Sequence, residues 1–142
     1  MPEKLTGPAP ASRIEVRRAD ETRTVMAKDE MASIYFWTDR LVFTVSQIPP
    51  GGRSTLDPGH KDADEVCYVV EGTLVLEFPE LQRWERLSAG DAIQIPQDEP
   101  HTVINPTDKA AVSIWATAPH LGYELADITG VAAPDGKGPR RG

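Results

Sequence analysis

The sequence predicts an all-β fold, a sandwich or barrel built from short strands. Brief apolar or alternating runs are cut by turn-forming residues at intervals of about eight to twelve residues, as in such folds. The breaks include Pro49-Pro50-Gly51-Gly52, Ser88-Ala89-Gly90-Asp91 and Asn105-Pro106-Thr107-Asp108. No stretch sustains the 3.6-residue apolar period of an amphipathic helix, and Tyr123 to Asp127 offers one helical turn at most.

The 142 residues have the length of one domain with one core. Residues 1–11 hold three prolines and a glycine and read as a flexible arm. The single domain is expected over 12–131, and the Gly-, Pro- and charge-rich residues 132–142 read as a flexible tail. Ile14 and Val16 alternate with charged residues, which suits a short edge strand, whereas Ala19 to Lys28 shows no clear period and reads as connection. Ile34 to Thr38 is β-branched and aromatic, and Asp39-Arg40 turns it into a second strand, Leu41 to Ile48. Proline removes ladder donors and glycine permits positive φ, so Pro49 to Gly52 ends that strand. Val66 to Val70 and Thr73 to Phe78 flank Glu71-Gly72 as a tight hairpin. The scheme repeats with Trp84 to Leu87 before Ala92 to Ile95, and with His101 to Ile104 before Ala111 to Ala116.

Composition excludes several classes of function. With 39% apolar and 26% charged residues the chain is an ordinary globular one rather than a disordered one. No apolar run approaches the roughly 20 residues of a membrane helix, and no charged-then-apolar signal pattern opens the chain. The lone Cys67 can form no internal disulfide, so a reducing cytoplasm is the expected location. A net charge of −7 argues against nucleic acid, whose phosphates need clustered Lys and Arg.

Chemistry concentrates in two stretches. Between Gly52 and Gly72, His60 is followed five residues later by Glu65 at the entrance to an apolar strand. A neutral imidazole nitrogen and an anionic carboxylate oxygen there can reach one cation. Between Gly90 and Asn105, His101 again stands where a loop becomes a strand. A lone histidine is usually a surface or satisfied core group, but these are two of only three in the chain. Glu65 precedes an otherwise apolar run, and a buried carboxylate without a partner costs several kcal/mol.

The two stretches resemble the paired signature motifs of the cupin superfamily. In the first, G(X)5HXH(X)4E(X)6G, the residues Gly52, His60, Glu65 and Gly72 stand in register and Pro58 replaces the first histidine. In the second, G(X)5PXG(X)2H(X)3N, the matches are Gly90, Pro96, His101 and Asn105, with Asp98 for the middle glycine. The resemblance covers roughly Leu41 to Trp115. It implies a double-stranded jelly-roll β-barrel whose mouth holds a metal ion on His60, Glu65 and His101. Two histidines and one carboxylate suit Fe(II) with open positions, and Zn, Ni or Mn are the alternatives.

Pro58 offers no donor, so water or substrate fills the missing position, a neighbour such as Asp57, Asp62 or Gln47 takes it, or the site stands empty. His60-Lys61-Asp62 also fits the H-x-D pattern of 2-oxoglutarate oxygenases. Those enzymes need an arginine after the last histidine, and none lies between Arg86 and Arg140. Strand parity points Cys67 the same way as Glu65, as a small inert hydrophobe, and Tyr68 outward. His120 matches no motif position and reads as a surface residue.

The expected function is that of a mononuclear metal-dependent enzyme acting on a small organic molecule, foremost an Fe(II) dioxygenase-type reaction, with Glu65 as metal ligand and catalytic residue. The alternatives are a redox-neutral isomerase, cyclase or lyase using the metal as Lewis acid, and a non-catalytic binding module. A homodimer is expected, because Tyr35, Trp37 and Tyr68 need burial somewhere.

Overall fold

The computed structural model describes residues 10–120. Nine strands follow in order: β1 (Arg23–Ala27), β2 (Glu30–Trp37), β3 (Val42–Ile48), β4 (Asp64–Glu71), β5 (Thr73–Phe78), β6 (Arg83–Ser88), β7 (Ala92–Ile95), β8 (Thr102–Ile104) and β9 (Ala111–Ala118). They form two antiparallel sheets, β1-β2-β3-β9-β4-β7 and β6-β5-β8, as the jelly roll requires. The described helices are two 3-10 turns, Ala19–Glu21 and Pro79–Leu81, and neither is long enough to cross a membrane.

Period-two alternation places the core. On β4, Glu65, Cys67 and Val69 face inward while Val66, Tyr68 and Val70 face out. Cys67 and Val69 pack against Leu74, Leu76, Ile95 and Trp115 between the sheets. Three strands cannot cover six, so the inner face of β1–β3 lines a cavity instead. That cavity and Glu65 share one interior. The core therefore holds the site's walls in place.

Several expectations need correction. Ile14 and Val16 form no strand and are 96% and 61% exposed. Their segment is tied down by Arg17 instead, whose Nε donates to the Tyr35 carbonyl at 3.1 Å and whose guanidinium lies over the Phe36 ring. The edge strand is β1, inside the stretch read as connection. Only Val25 of β1 is fully buried, so its apolar signal is weak, and pairing with β2 makes it a strand. β2 accordingly begins at Glu30, ahead of the expected Ile34.

The three expected hairpins are also different. β4 and β5 lie in different sheets, as do β6 and β7, and β8 and β9. Glu71-Gly72 and its counterparts carry the chain across the barrel, because each flanking strand buries its inner face against the opposite sheet. The hairpins present are β1–β2, β2–β3 and β5–β6. Trp37 is buried within its own barrel and needs no partner subunit. Most of the arm, the end of the expected domain, Tyr123 to Asp127 and the tail lie outside the described residues.

Candidate metal centre

The loop between β3 and β4 builds one wall of the site by pairing with the start of β8. Ser54 N donates to Val103 O at 2.8 Å. Asp57 and His101 then form an antiparallel bridge, with N–H···O distances of 2.8 and 2.9 Å in the two directions. Paired residues project to the same face, so the Asp57 carboxylate stands beside the His101 imidazole. After Pro58 the chain reverses at Gly59, which has φ +93°. A Cβ there would lie 2.6 Å from Glu99 N, so only glycine lets the two loops touch. The reversal returns His60 to the interior, and Asp98 N donates to its carbonyl.

Four side chains converge. His60 Nε2 is 3.2 Å from Glu65 Oε2 and 3.4 Å from Asp57 Oδ2. His101 Nε2 is 3.4 Å from Glu65 Oε1 and 3.8 Å from Asp57 Oδ2. The ligand atoms of Asp57, Glu65 and His101 all lie within 4.8 Å of one another. His101 Nδ1 is 2.9 Å from Glu99 O. A carbonyl can only accept, so Nδ1 carries the proton and Nε2 turns its lone pair to the centre. Trp115 stacks on the His101 ring at 6.0 Å and 11°, and Thr117 Oγ1 donates to Glu65 Oε2 at 3.0 Å. Imidazole and carboxylate are thus both oriented from behind.

The electrostatics mark a place for a cation. Burial works against the charged form of His60, but hydrogen bonds and charges from Asp57 and Glu65 prevail and hold it well above the usual imidazole range. For Asp57, burial is likewise outweighed by His60 and His101, and its carboxyl lies well below the usual range. Glu65 Oε1 is buried and accepts no hydrogen bond. An unsatisfied buried oxygen costs about 1–3 kcal/mol. A divalent ion between two carboxylates and two imidazoles would satisfy it and balance the charge. Mixed nitrogen and oxygen donors suit Fe(II), Mn, Ni or Zn.

All three residues expected as ligands, His60, Glu65 and His101, meet at this centre. Asp57 joins them beside His101. Pro58 is not among the residues lining the cavity, and Asp62 and Gln47 are exposed. Cys67 faces inward but into the core; burial and the Glu65 charge push its thiol up to about 12, so it acts as a small hydrophobe. Tyr68 faces out at 46% exposure, and His120 is half-buried away from the cavity.

One cavity residue had no sequence signal. Glu30, first in β2, turns inward with Ala32 and Ile34 and accepts a hydrogen bond from Ser46 Oγ. It belongs to no motif, and its strand becomes evident only once β1 pairs with it. Burial pushes its carboxyl up to about 7, with Ser46 opposing and the Asp57 charge adding.

The cupin domain model matches residues 44–117, slightly more than half of the chain. Among solved structures, KdgF from Halomonas sp. is 22% identical over 75% of this chain and 95% of its own, with a TM-score of 0.62. A predicted oxalate decarboxylase from Thermotoga maritima is 16% identical, covering 74% and 99%, with a TM-score of 0.63. The polyketide cyclase RemF from Streptomyces resistomycificus is 19% identical, covering 87% and 96%, with a TM-score of 0.61. At these identities the likeness concerns the fold. No curated protein matches the chain in sequence.

Proposed function

The chain belongs to the cupin domain family, and on that premise we propose that it is an enzyme holding one divalent metal ion and acting on a small organic molecule. His60, Glu65 and His101 would hold the ion, with Asp57 in the position that Pro58 leaves without a donor. The observation that carries this reading is Glu65 Oε1, a buried carboxylate oxygen with no donor, facing an imidazole nitrogen at 3.4 Å. Two imidazoles and Glu65, with Asp57 as a fourth donor and the remaining positions open, suit Fe(II), which favours a dioxygenase-type reaction. The bound metal would supply Lewis acidity and, as iron, one-electron chemistry. The protein's own part is orientation and dryness. The Glu99 carbonyl fixes the His101 tautomer, Thr117 holds Glu65, and the Trp115 ring shields the centre on one side.

A second reading, redox-neutral isomerisation, cyclisation or elimination, is favoured by Asp57. A second carboxylate makes the set harder and as suitable for Mn or Zn as for iron. Metal analysis of protein purified without chelator or tag metal, with an oxygen electrode, separates the two. About one iron per chain with O₂ consumption supports the dioxygenase, and about one zinc or manganese without it supports the redox-neutral enzyme. Failure to take up any divalent ion on reconstitution would leave the binding module.

We also propose a homodimer formed through the outer face of the larger sheet. Val66, Tyr68 and Val70 project from β4 at 45–46% exposure, and Ile114 and Val45 continue the apolar row beside Tyr68. Light scattering at micromolar concentration should report twice the chain mass; a monomer mass would refute it.

A further inference from the structure

The cavity beside the metal centre has two chemically different ends, and the second indicates what kind of molecule fits between them. Its volume is about 130 Å³. An apolar protein cavity of about 150 Å³ accepts benzene, so this space matches a single ring. The walls are mixed: Val25, Ile34 and Val103 supply apolar surface, and Thr44, Ser54 and Thr55 are hydroxyl residues among them. The described residues lining it include no lysine or arginine, and its acids are Glu30, Asp57 and Glu65.

Glu30 stands apart from the candidate metal ligands, on β2, three strands from β4 in the same sheet. The adjoining hairpin turn is anchored, since Asp29 N donates to Arg53 O and Arg53 N to Asp29 Oδ2, both at 3.0 Å. Ser46 Oγ donates to Glu30 Oε2. Ser46 is the described donor to this carboxylate, and Oε1 is left to accept from a ligand in the cavity that Glu30 lines. A ligand hydroxyl would satisfy that oxygen. A ligand carboxylate or phosphate at Glu30 would meet a like charge there, since the charged His60 imidazole stands with the other candidate ligands rather than beside Glu30 and no lysine or arginine lines the cavity.

We propose that Glu30 is the specificity-determining residue of this cavity. It selects an uncharged, ring-sized, mostly apolar molecule bearing a hydroxyl group, whose O–H donates to Glu30, and it rejects carboxylates and phosphates. The inference rests on the reading of this cavity as the substrate site, but not on the identity of the metal. The carboxyl titrates near 7, and Asp57, Glu65 and His101 are the charged or titratable groups acting on it. At pH 8 it is the acceptor the proposal needs.

The test uses phenol and benzoate as probes, titrated into the full chain at pH 8 with EDTA. Methyl NMR signals of Val25, Ile34 and Val103 report occupancy. Phenol should bind about tenfold more tightly than benzoate or better, the discrimination expected from one hydrogen bond gained against one charge repelled. Glu30→Gln keeps the shape, removes the charge and adds an N–H donor, so it should bring the two affinities together, mainly by improving benzoate. Ser46→Ala leaves the carboxylate in place and should preserve the preference for phenol. Equal binding of the two probes by the wild type would overturn the proposal. So would an unchanged ratio in Glu30→Gln, a lost preference in Ser46→Ala, or no methyl shift with either probe. Zn²⁺ uptake by calorimetry is measured separately. A chain that prefers phenol but holds no metal refutes the metal reading alone, and one that holds zinc without the preference refutes this inference alone.

Discussion

Glu65→Gln is expected to weaken divalent-metal binding by at least about 100-fold, a loss of about 2.7 kcal/mol. Glu65 lies nearer to both imidazoles than Asp57 does, 3.2 Å from His60 Nε2 and 3.4 Å from His101 Nε2. The amide keeps the volume and can still accept from Thr117, but it removes the charge that a cation needs. Titration calorimetry with Zn²⁺ gives the affinities, and wild-type affinity in the variant would defeat the assignment. The pH dependence provides an independent check. The folded protein holds His60 above its ordinary value of 6.5, so the metal-free chain gains stability that is fully present below about 6.5 and lost as pH rises through the higher folded value. A metal must displace that proton, so its affinity rises with pH, and about one proton is released near neutral pH. Above pH 6.5 this site therefore contributes differently in the two forms: stability falls with rising pH without metal, and with saturating metal the gain in affinity cancels that loss and leaves the contribution flat. Thermal melts at several pH values, with and without Zn²⁺, should show the divergence. Parallel curves would mean that His60 does not ligate.

Gly59→Ala is expected to destabilise the protein by about 3 kcal/mol or more, lowering Tm by about 10 °C. Two effects add. The backbone at φ +93° is costly for any residue with a Cβ. The new Cβ would also lie 2.6–2.9 Å from backbone atoms of Asp98 and Glu99, which cannot rotate away as a flexible side chain could. Relief requires the two loops to separate. That would disturb the hydrogen bond from Asp98 N to His60 O, and with it the Glu99 carbonyl that orients His101. Metal affinity should therefore fall together with stability. Gly90→Ala is the control, since its φ is also positive but a Cβ there meets nothing within 4 Å. Its cost should be limited to backbone strain and leave metal binding unchanged. Equal Tm losses in the two variants would show that the loop contact contributes nothing.

The all-β class, most strand positions and three of the four converging side chains are legible along the chain. Those features are written in local spacing. Alternation along β4 puts Glu65 on the same face as Cys67 and Val69, and the motif offsets place His60 and His101 at loop-to-strand junctions. Which strands become partners depends on the packed barrel. Glu71-Gly72 has the composition of a hairpin, yet β4 pairs with β7 and β9 because its inner face buries against the other sheet. β1 carries too little apolar pattern to be recognised alone, and without it Glu30 has no visible strand. The side chain standing nearest the place of the missing histidine was decided in the same way. Asp57, Asp62 and Gln47 were equally plausible along the chain. The pairing that puts residue 57 opposite His101 turns Asp57 inward and leaves Pro58 off the cavity wall. A shift of one residue in such a pairing exchanges the faces of the strand, so register across the barrel, set by burial and hydrogen bonding between distant segments, selected the fourth side chain.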